Sequence, residues 1–416
     1  MLFHYIKELY TKLNTVSNGR IFLLLSFVIR IIVIPLTYLL WIIEPFKKVR
    51  FHKGDIRRIG HLSCTFEVLI RSKEVKIDSK DILEIFIVGK NAAANFTLYN
   101  MWRRKLFFIE NNTLNFIYAL CGVWLKNRKH FGPSNILHGS LPYSKPSIEF
   151  TETQILEGKK KSQEIGIKQN EWFVCLHNRS PIYLDEKFPK HKWAFHNIRD
   201  CDFKNLYQAA NLIKEKGGKC VRMSSGEKEK LDKEAPSNII DYAYYNQTDF
   251  LDIYLLAKCK FFLGPQSGLL NVSLIFNIPV AATNVIPLGC AYVPVNSLFI
   301  PKLLWYKEQK RFLSYKEILN SNLQNSLKIS DFHSLGIEVI DNDPDDIRLL
   351  TQDMFDLLRK KSLFCKDDKL VNNFMEEYFE EGKFVNEFTS KHKKFEFAGQ
   401  ISRRFLLKHS YLMNDK

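Results

Sequence analysis

Polar loops with the makings of an anion site recur in the second half of this 416-residue chain. His177-Asn178-Arg179-Ser180 ends a short apolar run, with Tyr183 and Asp185 close behind. Arg222-Met223-Ser224-Ser225-Gly226 ends a second run, Gly264-Pro265-Gln266-Ser267-Gly268 a later one, and Thr283-Asn284 another. His196 and Arg199-Asp200 fall between the first two. Guanidinium forks grip a diphosphate through paired hydrogen bonds. A Ser-Gly turn that opens a helix aims backbone amides and the positive helix pole at the same anion. Each motif also has a structural reading: a packed strand end, a tight turn with its cap, a solvated ion pair. What favours binding is that several such loops fall on one edge of one sheet.

The elements that must hold these loops follow from the hydrophobic pattern. Trp172 to Leu176, Lys219 to Met223 and Lys260 to Leu263 are short continuous apolar runs, as expected of strands buried on both faces. Ile239-Ile240 with Tyr242 to Tyr245 reads as a third strand of this series, and Ile278 to Ala282 as its last. Between them, Phe203 to Lys216, Phe250 to Ala257 and Gly268 to Phe276 carry helical spacing, and Gly217-Gly218 stops the first of these. Such alternation predicts a parallel, doubly wound α/β sheet, whose ligands bind outside the carboxyl ends of the strands. Asp343-Pro344-Asp345-Asp346 predicts a helix start running to about Lys361, with more helix from Asp367 to Phe388.

A first α/β region precedes it. There Asp55 to Ile59 is expected as a strand, Gly60-His61 as its turn, Leu83 to Val88 as a buried strand, and Asn91 to Trp102 as a helix. The Gly-, Pro- and Ser-rich stretch from Gly132 to Pro146 reads as loop, and the polar segment 151–170 as a helical bridge. The expected division is therefore 1–45 as a membrane anchor, 46–160 as an N-terminal domain, 161–340 as a nucleotide-binding Rossmann-like domain, and 341–416 as a basic helical tail.

Several classes are excluded. There is no GxxxxGK[ST] and no GxGxxG at a strand–helix turn, and Asp343-Pro-Asp345 is accounted for as a helix cap rather than a metal pair. Eight cysteines stand singly, without CxxC or metal spacing, as expected of buried thiols in a reducing compartment. Hydrophobic residues at 46% rule out wholesale disorder. The net charge of +16 suggests a polyanionic partner. It is concentrated at the ends: residues 1–60 hold ten Lys/Arg against three acids, and 391–416 hold seven against two. Neither end shows a zinc finger or an RNP-like strand, so nucleic acid is not the expected partner. Ile21 to Ile43 is a 23-residue apolar run, long enough to cross a bilayer core, interrupted by Arg30 and Pro35. A full span, a re-entrant anchor and a buried core helix all remain open on this pattern. The basic cluster after the run predicts a body on the cytoplasmic face of the cell membrane, lying on acidic lipid.

LHNRSPIYLD (176–185), HNIRDCD (196–202), GGKCVRMSSG (217–226), FFLGPQSGLLNVSLIFNIPVAATNVIP (261–287) and RRIGHL (57–62) resemble a family of bacterial glycosyltransferases encoded with surface-polysaccharide genes. The resemblance covers roughly 50–310, with Ser224 where that family's pattern has glycine. It implies a GT-B-like fold, two Rossmann-like domains facing a cleft, preceded here by the membrane-associated helix. The His-x-Arg loop and the Gly-x-x-Ser-Gly turn also resemble donor sites of fucosyltransferase type.

What the resemblance implies is transfer of a glycosyl group from a nucleotide-sugar donor to a glycan acceptor, with no cofactor and no essential metal; the anchor and its basic flank suit a lipid-linked acceptor. Arg179, Tyr183, His196, Arg199, Arg222, Gln266, Ser267, Gly268 and Asn284 would bind the donor. His61, His177 and Asp200 are rival candidates for the base that takes the acceptor proton. A non-catalytic membrane scaffold that keeps a transferase fold, and an epimerase-like nucleotide-sugar enzyme, are the competing expectations.

Overall fold

The computed structural model describes residues 42–74, 81–125, 144–179, 194–224, 229–245, 247–290, 294, 296–360, 368–381 and 399–413, together with Phe27 and Ile31. Most of the 21–43 run, Tyr183, Ser225 and Gly226 lie outside the described residues. Among the described residues no helix is long and apolar enough to cross a membrane.

Three strands build the first sheet: β1 (Lys48–Lys53), β2 (Ile82–Val88) and β3 (Phe107–Glu110), side by side in that order and all parallel. Helix Ile59–Glu74 connects the first pair and helix Phe96–Arg103 the second. The expected strand at Asp55 to Ile59 is corrected here, because Ile59, Leu62, Phe66 and Leu69 recur at helical spacing and bury one face of Ile59–Glu74. Gly60-His61 is accordingly the first helical turn rather than a strand turn. The true strand, KVRFHK, has a charged appearance because its partners are charged. His52 bonds Glu84 on β2 at 2.5 Å, and Lys73 of the covering helix reaches the same carboxylate at 2.8 Å. Beside them Phe66, Phe86, Trp102 and Phe108 stack edge to face, each worth about 1.5–3 kcal/mol when buried.

The second sheet has seven strands, all parallel: β4 (Phe173–His177), β5 (Lys219–Met223), β6 (Ile239–Ile240), β7 (Phe262–Pro265), β8 (Val280–Val285), β9 (Leu298–Pro301) and a late β13 (Gln400–Ile401). Their spatial order is β6-β5-β4-β7-β8-β9-β13. The chain winds outward from β4 to β6, returns past β4 to β7, and then winds the other way. That is the doubly wound Rossmann order, with its switch point between β4 and β7. Two expectations are corrected. Tyr242–Tyr245 forms a helical turn rather than a strand, since β6 already ends at Ile240. Val280–Val285 is not the last strand, because β9 and β13 extend the sheet beyond it.

A small antiparallel sheet, β10 (Leu303–Tyr306), β11 (Arg311–Phe312) and β12 (Ile337–Ile340), hangs from the end of β9. Helices Pro344–Lys360 and Lys369–Glu381 follow. Phe355 of the former takes Trp172 and Phe261 edge to face, so residues after 341 pack on the large sheet as well as supplying β13. Buried apolar side chains from both parallel sheets join in one continuous core.

Candidate functional site

The seam between the two parallel sheets is made by two helices, Ile59–Glu74 from the first and Gly268–Ile275 from the second. They lie alongside each other in parallel. Gly60 meets Gly268 at one end, Cys64 comes within 4.0 Å of the Asn271 carbonyl, and Arg71 reaches Ile275 at the other end. The glycines allow the approach: a Cβ on Gly268 would fall 2.6 Å from Ile59 Cγ2 and 3.0 Å from the Gly60 nitrogen. Both helix N-termini therefore open at one point. Ser267 caps the second, its Oγ accepting the Leu270 amide at 3.3 Å. Two positive helix poles side by side favour an anion between them.

That point lies at the switch between β4 and β7. The strands close tightly just before it, since a Cβ on Gly264 would stand 2.4 Å from the His177 carbonyl oxygen. Past the end of β4, the Arg179 guanidinium is paired with Asp200, which follows the 3-10 turn Ala194–Arg199. Lys302, at the end of β9, donates to the Asp200 carbonyl at 2.8 Å and to Asp341 at 2.5 Å, anchoring that turn. Burial holds Arg199 down to about 10, with Arg179 and Arg58 adding to the effect, and it lowers Arg179 as well, again with Arg58 contributing. Three guanidiniums, one of them from the first sheet's helix start, are thus close enough to repel one another. Burial also pushes the Asp200 carboxyl up to about 6, against the opposing pull of Arg179, Lys302 and Arg199.

His61 sits one residue beyond Gly60. Burial lowers its pKa, Asp55 opposes and Arg58 assists, so the imidazole is neutral near pH 7. His177 is different in kind. Its Nδ1 bonds the Met223 carbonyl at 2.7 Å and so must carry the proton, and burial takes it down to about 4. This ring ties the end of β4 to the end of β5.

The structure therefore brings together Arg179, Arg199, Asp200, Ser267, Gly268 and His61, with half-buried Gln266 just before the cap. Two others are not gathered there. Arg222 is bound to Asp241 and to the Glu229 carbonyl, both at 3.1 Å, over the Phe203 ring. Asn284 is buried in a reciprocal pair with Asn342: its amide donates to Asn342 Oδ1 at 2.6 Å, and its own Oδ1 accepts the Asn342 amide at 2.8 Å. His196 has its backbone in the 3-10 turn, while its side chain lies outside the described residues. Sequence reasoning missed Arg58 and Lys302 as members of the site. Arg58 immediately precedes a helix start, which was hidden by the strand reading of 55–59; Lys302 ends a strand not foreseen. Among the described residues no group of three or more His, Cys, Asp or Glu side chains is placed to hold a metal ion.

No family model matches the chain, and no curated protein matches it by sequence. Among solved structures it is similar to the E. coli ADP-heptose lipopolysaccharide heptosyltransferase II, at 12% identity over 76% of this chain and 100% of that one, TM-score 0.41. It is also similar to a family 9 glycosyl transferase from Veillonella parvula, at 10% identity over 76% and 98%, TM-score 0.43. A further similarity is to an E. coli heptosyltransferase solved with ADP, at 10% identity over 61% and 90%, TM-score 0.34.

Proposed function

We propose that the protein is a GT-B-like glycosyltransferase that draws on a nucleotide-sugar donor. The observation that carries this reading is the meeting of two helix N-termini with Arg58, Arg179 and Arg199 at the strand-order switch. Chemistry supports a diphosphate in particular, since guanidinium forks and the amides of helix N-termini both suit its paired oxygens.

In the reaction, an acceptor hydroxyl oxygen bonds to the anomeric carbon while the bond from that carbon to the diphosphate oxygen breaks. The electron pair leaves with the diphosphate, where fixed guanidiniums and helix poles receive the growing charge. The hydroxyl proton passes to a base. Neutral His61, in the first helical turn beside the Gly60–Gly268 contact, is the base in this reading, while the His177 ring ties β4 to β5.

The acceptor in this reading is a glycan, lipid-linked where the membrane presents it, and the setting is surface-polysaccharide assembly on the cytoplasmic face of the cell membrane. Support for the membrane comes from the apolar run at 21–43, from exposed Ile42, Ile43 and Phe46, and from the Lys47 and Lys48 that follow. A thermal-shift panel of ADP-, UDP-, GDP-, CMP- and dTDP-sugars tests the donor. At a hundred times Kd the right one should stabilise the fold by about 2.7 kcal/mol. A panel without any shift would leave the reading without a donor.

A further inference from the structure

The far end of the interdomain seam holds a cluster that the donor pocket does not use. Arg71 is 1% exposed. It donates to Glu67 Oε1 at 2.5 Å on its own helix, and across the seam to the Asn277 Oδ1 and the Ile275 carbonyl, both at 2.8 Å. Glu67 Oε1 also accepts the Ser147 amide at 2.9 Å, and Asn277 donates back to the Ser144 carbonyl at 2.7 Å. The arginine thus binds its own helix, the end of the partner helix, and the residue just beyond it, while the 144–147 connection closes over both.

At the cleft the two positive poles meet. Helix Gly268–Ile275 is half as long as helix Ile59–Glu74 and stops short of its far end, and Arg71, in the last turn of the longer helix, bonds the last carbonyl of the shorter one. Fixing one end of a pair of rigid rods fixes the other. The distance from Arg71 to Gly60 is about 16 Å at a helical rise of 1.5 Å per residue.

We propose that Arg71 is a positioning residue for the diphosphate pocket: it sets the axial register of helix 59–74 against helix 268–275, and so the place where their N-termini converge. The proposal rests on reading that pocket as a diphosphate site. Arg71 touches no substrate, and its effect travels through the two helices. A slip of one residue would move the Gly60 contact off Gly268, where the neighbours Ser267 and Leu269 carry side chains that the close approach excludes.

The test uses two variants of the full chain. Arg71→Met with Glu67→Gln removes both charges together, so that no buried ion is orphaned, and keeps an acceptor for the Ser147 amide. Asn277→Gly suits the backbone at that position, whose φ is 57°, and removes one cross-seam partner. The first readout needs no ligand: hydrogen exchange of the amides at Gly60–Ser63 and Gly268–Asn271. Exchange should quicken about tenfold in the double variant and less in Asn277→Gly. The second readout is calorimetric affinity for inorganic pyrophosphate at fixed pH 8, expected to fall at least tenfold and several-fold respectively, with Arg71→Lys intermediate. Folded variants with lowered thermal midpoints, unchanged exchange at both first turns and unchanged pyrophosphate affinity would overturn the proposal. If the wild-type protein fails to bind pyrophosphate, the diphosphate reading falls, and the exchange measurement still decides whether Arg71 sets the register.

Discussion

Helix Ile59–Glu74 has arginines at both ends, and the two ends behave in opposite ways. At the cleft, Arg58 lies close enough to Arg179 and Arg199 to act on both, and Asp200 is still part-exposed. At the other end Arg71 and Glu67 pair with each other, and both are sealed from solvent. Both clusters join elements from the two sheets, and both sit at helix poles. The difference is exposure. A part-exposed cluster at strand ends can still reach something outside the chain, whereas an enclosed one exerts its attraction on the protein itself.

The comparison can be broken most sharply at the sealed end. Arg71→Ala by itself orphans Glu67 in the interior and should cost about 3–5 kcal/mol, read as the urea midpoint. A loss under about 1 kcal/mol would mean that Glu67 is relieved by water and the end is not sealed. At the open end, Arg179→Ala should leave stability within about 1 kcal/mol while lowering nucleotide-sugar affinity by about ten- to a hundredfold in calorimetry, as for loss of a charged hydrogen bond. Equal damage to stability and affinity would erase the distinction between the ends. Gly268→Ala sets a methyl against Ile59 and should spread the seam, with an overpacking cost of about 1–3 kcal/mol and weaker donor binding.

The smallest effect concerns pH. Asp200 is raised to about 6 in the folded chain, so between its ordinary range and that value the folded state holds the extra proton. This group therefore favours folding at low pH and loses that contribution as pH rises through the window. Protonation also removes the negative charge facing Arg179. Affinity for a nucleotide sugar, whose diphosphate diester does not titrate there, should rise several-fold as pH falls from 7 to 5. Asp200→Asn should flatten that profile; a persistent slope would assign it to another group.

Legibility differed between the two sheets for a physical reason. In the second, β4, β5 and β7 are enclosed on both faces, so burial alone writes an uninterrupted apolar run, and the loops beyond them could be read as a ligand edge. In the first, β1 is held by His52 against Glu84, and polar pairing erases the hydrophobic signature that marks a strand. The error then moved Arg58 out of a helix start, which is why the third guanidinium was missed. Arg222 shows the reverse case: it ends an easily read strand, yet its charge is answered by Asp241 within the fold. Position at a strand end was visible in the sequence, but the partner of each charge was not.

The pairing of β9 with β13 bears on how the chain is made. Phe299 lies opposite Ile401, so β9 must wait for roughly a hundred further residues before its outer edge is covered. At synthesis speeds of about 5–20 residues per second, that leaves an open strand edge on the ribosome for roughly 5–20 seconds. During that interval the nascent second unit presents a ready template for pairing with other chains, so its safe production depends on the timing of translation as well as on the finished contacts.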